Sequence, residues 1–442
     1  MEFRKHLRTG IWGLAGKALP VVYGLGFVLL VIRVLPEEEF GNYVLLQEIF
    51  LILTGLATAI ALQPLLKFAS EEGGAENSVM GAAFVVHAVF LAMTSLVLAL
   101  LREPVGALLQ SPMLAELLPY LPALVAASLL RNFVLALLQA RFRLTAAFWV
   151  DAMHFLGAPL LVWVSSRLHM FDSAMDLVMI AIISLSASSA VGVVVARREL
   201  PAMTLPTRAD IRKILDYGTY AMGGVVSYLF TTKADTLFLS AFAGPVAVAV
   251  YNAAKVFTRV FDMIPQVVQM FVLPATSRLS SRGEEHALQA LAEKAVAFTT
   301  IAVIPVALVF LLAPGLLMDI LYGGRYREAV PVLRVFSLLG IVVPLYAVGS
   351  SLLMGLGDAR AVFRLGLQML LLSLAGYLLL IPLFGAVGAA AAYATASAIV
   401  AFTTRHRLGS SVPLPIGGIL RRERDVRNFI RDAISKIANR TH

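Results

Sequence analysis

The stretch YNAAKVFTRVFDMIPQVVQ, from Tyr251 to Gln269, places Lys255, Arg259, Asp262, Gln266 and Gln269 at intervals of four, three, four and three inside an apolar region. At about 100° per residue this spacing predicts a single polar face on a helix. Lysine and arginine are the side chains that make charge-assisted contacts to an anion. A charge at the centre of a bilayer costs about 2.5–3.5 kcal/mol on insertion scales, so such a face belongs on a water-filled path and not against lipid. Nineteen residues at about 1.5 Å each cover roughly 27 Å, close to the hydrocarbon thickness.

The charges on this face can be matched in two ways. Arg259 and Asp262, three apart, can pair, which leaves Lys255 as a surplus cation. Alternatively Asp235, on the preceding helix, takes Lys255 in a structural ion pair. That helix sets Tyr220, Gly224, Ser227, Thr231 and Asp235 near helical spacing, while Lys233 lies about 200° from Asp235 and must snorkel or meet another neighbour. Lys17, Gln47 and Glu48 add polar groups to the first two apolar segments. Arg131 and Arg334 lie near enough to helix ends to snorkel or to face the path. His87, His154 and His169 form no metal-ligand spacing, and no GxxxxGK[ST] or HExxH motif occurs. Nothing in these patterns points to an enzyme or a cofactor.

The elements that must position these residues are membrane helices. The chain has 442 residues, 59% hydrophobic and 14% charged, with a mean hydropathy of +0.85. A soluble domain is typically about 45–50% apolar and about 25% charged. The absence of cysteine removes disulfides, thiol nucleophiles and iron–sulfur sites. The basic start MEFRKHLRTG leads into an apolar run over residues 11–32, longer than a signal-peptide core, and is expected to be retained as the first membrane helix. Apolar blocks of spanning length recur to the end, and about twelve helices are expected. Most Lys and Arg fall in alternate breaks, so both termini are expected on the cytoplasmic side. After Arg405 the tail sets Ile419, Val426, Phe429 and Ile430 at helical spacing among Arg421, Arg422, Arg424 and Arg427. This predicts a basic amphipathic helix, lying on an anionic leaflet or capping the bundle.

The two halves resemble each other at an offset of about 210 residues. FGNYVLLQEIF from Phe40 parallels VAVYNAAKVF from Val248, aligning Tyr43 with Tyr251 and Gln47 with Lys255. PLLKFASEEGG from Pro64 parallels PATSRLSSRGE from Pro274. The expected organisation is a six-helix lobe over 1–205, a second over 206–409, and the tail over 410–442. An even number of helices per lobe makes the repeat parallel, as in transporters whose lobes rock about a shared site.

With RVLPEEEFGNYVLLQ after the first helix and KADTLFLSAFAGPVAVAVYNAAKVF opening the second half, the chain resembles the polysaccharide-transporter branch of the MOP flippase superfamily, the Wzx-like O-antigen and exopolysaccharide flippases, over residues 1–407. The resemblance implies an all-α polytopic fold of two six-helix lobes in the bacterial inner membrane. It implies movement of an isoprenoid-pyrophosphate-linked oligosaccharide by alternating access through a cationic central cavity, without a cofactor. Lys255, Arg259, Lys17, Tyr251 and Gln47 are the expected substrate-binding set, with Asp262, Asp235 and Glu48 for ion pairing or coupling. Expected partners are the lipid-linked oligosaccharide, membrane lipids and the glycan polymerase and export machinery, with no nucleic acid. Drug and cation antiporters of the MATE type share this fold and are the alternative, but they are expected to use acidic residues in the first lobe, where this chain offers chiefly Glu48. Lipid II flippases of the superfamily usually carry two further helices.

Overall fold

The structure, a computed structural model, describes residues 19–20, 23–24, 26–70, 77–198, 200, 203–409, 412–413 and 417. Lys17 and nearly all of the basic tail, including its expected amphipathic face, lie outside the described residues.

Every regular element among the described residues is helical. The first is α1 (26–34). Next come α2 (Glu37–Ala57), a π turn (Thr58–Leu62), α3 (Gln63–Ser70), α4 (Asn77–Leu100), α5 (Arg102–Leu108) and α6 (Pro112–Leu117). The order continues with α7 (Leu121–Ala140), α8 (Leu144–Arg167), α9 (Ala174–Val195), α10 (Arg208–Lys255), α11 (Arg259–Ser281) and α12 (Glu285–Leu312). It closes with α13 (Pro314–Tyr322), α14 (Val330–Ser337), α15 (Leu339–Gly355) and α16 (Ala359–Leu408). Among the described residues, eight helical stretches are long and apolar enough to cross a membrane, or nine with the bent pair Arg327–Ser337 and Leu339–Gly355.

Two of those stretches each fold into a hairpin. In α10 the backbone leaves helical geometry at Gly244 (φ 76°), and Pro245 follows. Tyr251 and Lys255 then reach back to Asp235 and Thr232, pairs centred near residue 243. In α16 the break falls at Gly385 (φ 54°), and Gly376 meets Ala392 across the hairpin. Counting both legs of each hairpin raises the nine to eleven membrane-length passes among the described residues, against about twelve expected; of the first expected span only residues 26–34 form a described helix.

Close packing divides the chain into two compact units, Met1–Val256 and Phe257–His442. This cut differs from the lobe boundary expected at 205, and both legs of the α10 hairpin fall within the first unit. A methyl group on Gly41 of α2 would sit 2.0 Å from the carbonyl oxygen of Pro245, and one on Gly218 would sit 2.0 Å from that of Ile60 in the π turn. Only glycine admits backbones this close. Helix entries follow capping chemistry, with capping boxes at Ser173–Asp176 and Thr207–Asp210.

In the second unit, Phe257, Phe261, Phe310, Tyr322 and Tyr326 form an aromatic cluster with ring centroids 5.3–6.1 Å apart. Gln269 donates to the Ala347 carbonyl at 3.1 Å, and Ser277 to that of Gly355 at 3.1 Å, fixing α11 on α15.

Candidate functional site

The Tyr251–Gln269 run is not one regular helix. A 3₁₀ turn over Val256–Thr258 separates Lys255 from Arg259. Such a turn advances about 120° per residue against about 100° in an α-helix, so three residues shift the polar face by about 60°. Arg259, Asp262 and Gln266 are exposed on α11, while Gln269 is half-buried on its Ala347 contact.

Lys255 is paired with Asp235. Its Nζ lies 2.8 Å from Oδ1 and 2.7 Å from Oδ2 of that carboxylate and donates to the Thr232 carbonyl at 3.0 Å. An ammonium has three protons, and these acceptors hold it against the first leg of the hairpin. Asp235, 2% exposed, also accepts from the Tyr251 hydroxyl at 2.6 Å and the Thr236 amide at 2.7 Å. The structure thus forms the Lys255–Asp235 ion pair, and Lys255 is not a surplus cation. Tyr251 is 1% exposed and supports the pair from beneath instead of lining open space.

Lys233 turns away from Asp235, as its position on the helix requires, and meets Glu48 of α2 at 2.7 Å, out of line for a directed hydrogen bond. Gln47, its neighbour, is half-buried. Arg131 of α7 meets Asp151 of α8 at 2.5 Å, donates to the Asn132 side-chain oxygen at 3.2 Å and lies over the Phe155 ring at 5.4 Å. Ser189 of α9 fixes this region, accepting from the Arg131 amide and donating to the Ala127 carbonyl. Arg131 therefore does not snorkel; its pairing keeps it inside the bundle. The partner Asp151 was legible in WVDAMHF only as a carboxylate three residues before His154.

Of these residues Arg131, Asn132 and Phe155 line a cavity of about 620 Å³ within the first unit, walled by α2, its π turn, α3, α7, α8, α9 and the first leg of α10, whereas Gln47, Glu48, Asp235, Tyr251 and Lys255 are not among its described lining. Thr54 and Thr58 line it. So do Gln63, Arg131, Asn132, Gln139, His154 and Tyr228. Tyr228, Gln63 and Gln139 carried no signal in the sequence beyond polarity within an apolar block. Arg131 is the one charged residue among the described lining, and Asp151 balances it. Tyr220, on the same leg of α10, is exposed.

A family model described as "Polysaccharide biosynthesis protein" matches residues 29–331. The chain belongs to that family. An uncharacterized membrane protein of Methanocaldococcus jannaschii is 29% identical over 185 residues, 42% of this chain and 36% of that relative. The "Probable low-salt glycan biosynthesis flippase Agl15" of Haloferax volcanii is 23% identical over 209 residues, 47% of this chain and 44% of that protein. The chain thus spans less than half the length of these two relatives. In fold it is similar to an inward-facing MATE transporter of the MOP superfamily (TM-score 0.72, 14% identity, covering 90% of this chain and 98% of that one). It is equally similar to the lipid II flippase MurJ in an inward closed form (TM-score 0.72, 14% identity, 95% and 90%). The family member described here is a polytopic membrane protein with the all-α MOP fold.

Proposed function

We propose that this protein is a flippase, not an enzyme, which moves an isoprenoid-pyrophosphate-linked oligosaccharide across the bacterial inner membrane by alternating access of lobes 1–205 and 206–409. The observation that carries the reading is a cavity of about 620 Å³, walled by spanning helices and holding Arg131, Gln63, Asn132 and Gln139 among apolar side chains, in a chain of the polysaccharide biosynthesis family. Polar groups at bilayer depth are costly and mark substrate pathways.

Ion pairing separates this reading from a cation-coupled antiporter. Such an antiporter needs a carboxylate able to exchange a cation, yet Glu48, Asp151 and Asp235 of the first unit are each held by a lysine or arginine. In the flippase, Arg259 and Lys17 contact the pyrophosphate, Asp262 serves coupling, and Lys255 joins the anion by leaving Asp235. Gln47 and Tyr251 support that exchange.

The test is a strain lacking the gene, complemented with Arg259→Ala at normal membrane levels. Deletion abolishes surface glycan and accumulates its lipid-linked precursor, and the variant restores about tenfold less export, the loss of one charge-assisted contact. Intact surface glycan with altered drug accumulation in the deletion strain contradicts the flippase and favours the antiporter.

A further inference from the structure

The chemistry of the first unit's cavity suits sugar better than phosphate. The one cation of its described lining, Arg131, already has Asp151 at 2.5 Å and the Asn132 oxygen at 3.2 Å. A pyrophosphate seated there would meet a carboxylate beside the guanidinium, and like charges at this depth repel strongly. What remains of the described lining carries no lysine, arginine or carboxylate. Gln63 and Gln139 present amides that make no hydrogen bond among the described residues, and Asn132 keeps its amide donors. Each amide both donates and accepts, which is what a sugar hydroxyl requires of a partner.

Tyr228 supplies the second half of a sugar site. It lines the cavity with 66% of its surface exposed, although it lies inside a span. One turn earlier, Gly223 and Gly224 leave open space, since a methyl group on either would meet nothing within 4 Å. Paired small residues in a membrane helix ordinarily admit a neighbouring helix, and here they leave room beside an aromatic face. The electron-rich face of such a ring attracts the polarised C–H bonds of a sugar. A volume of about 620 Å³ lies within the range of organic ligand sites, about 300–1,000 Å³, and far exceeds what an ion needs.

We propose that this cavity recognises the glycan portion of the cargo, with Gln63, Asn132 and Gln139 selecting hydroxyl positions and Tyr228 stacking on a sugar ring, while the pyrophosphate is held elsewhere. This rests on the flippase reading and adds to it a division of labour between sugar and phosphate.

The experiment uses the full chain in proteoliposomes and two probes. One is the lipid-linked glycan extracted from the organism's own membranes, and the other is the same lipid trimmed enzymatically to its first sugar. Translocation is read by accessibility to a membrane-impermeant sugar-modifying enzyme. Gln139→Ala and Tyr228→Ala alter exposed side chains, and thermal unfolding confirms that each folds. Each variant is expected to move the full glycan about tenfold more slowly, one or two hydrogen bonds or a stacking contact, and the trimmed lipid within about twofold of wild type. Equal loss with both probes, or no loss with either, overturns the sugar site. A wild-type protein that moves neither probe overturns the flippase reading itself, a distinct result.

Discussion

At the scale of single residues, the first unit keeps its buried charges neutral in pairs. Lys255 with Asp235, Lys233 with Glu48 and Arg131 with Asp151 each join different helices or the two legs of one hairpin. Removing one partner of a buried pair leaves an uncompensated charge and costs about 3–5 kcal/mol, whereas replacing both by apolar groups is often near neutral. Lys255→Met and Asp235→Leu are therefore each expected to lower stability by about 3 kcal/mol, and the double variant by clearly less than their sum. Thermal unfolding in detergent checks this, and simple additivity would show that the pair is not coupled. The sequence made part of this legible. Angular position on the helix separated Lys233 from Asp235, but spacing along one segment could not show that Lys255 spends its protons on the preceding leg. Nor could it reveal the 3₁₀ turn that takes Arg259 out of phase, because a helical repeat read over nineteen residues assumes uninterrupted geometry.

At the scale of elements, glycine decides where helices meet and where they leave room. Gly218 abuts the Ile60 carbonyl in the π turn, and Gly41 abuts Pro245, whereas Gly224 faces open space. Gly218→Ala forces backbones apart and is expected to cost about 1–3 kcal/mol or more. Gly224→Ala is expected to be neutral or to stabilise by about 0.5–1 kcal/mol through helix propensity. Paired melting curves read the contrast, and equal destabilisation by both would contradict this packing. The all-helical, membrane-spanning character was legible because each span needs about twenty apolar residues. The hairpin at Gly244–Pro245 was legible only as a short break, since its turn spends a single glycine with positive φ. The π turn left no mark at all; one residue of excess winding does not change hydropathy, yet it places Thr58 and Leu62 on the cavity wall.

At the scale of the whole molecule, the chain belongs to a polysaccharide biosynthesis family and has a polytopic membrane fold, and the cavity is where the proposed function meets this chain's own residues. The resemblance read from FGNY and its counterpart near Tyr251 reached the family. The cavity's amide and aromatic lining lay beyond it, because Gln63, Gln139 and Tyr228 come from three separate segments. The sequence contains no cysteine, so a single introduced thiol reports its own surroundings. The most direct test of a water-filled, cargo-binding cavity is labelling of Gln139→Cys by a membrane-impermeant maleimide, beside Leu156→Cys on the exposed apolar face of α8. The expected result is labelling at 139 and none at 156, with lipid-linked glycan near ten times its dissociation constant slowing the reaction at 139 about tenfold by mass action. An unreactive thiol at 139, or one whose labelling the glycan lipid leaves unchanged, would contradict the account.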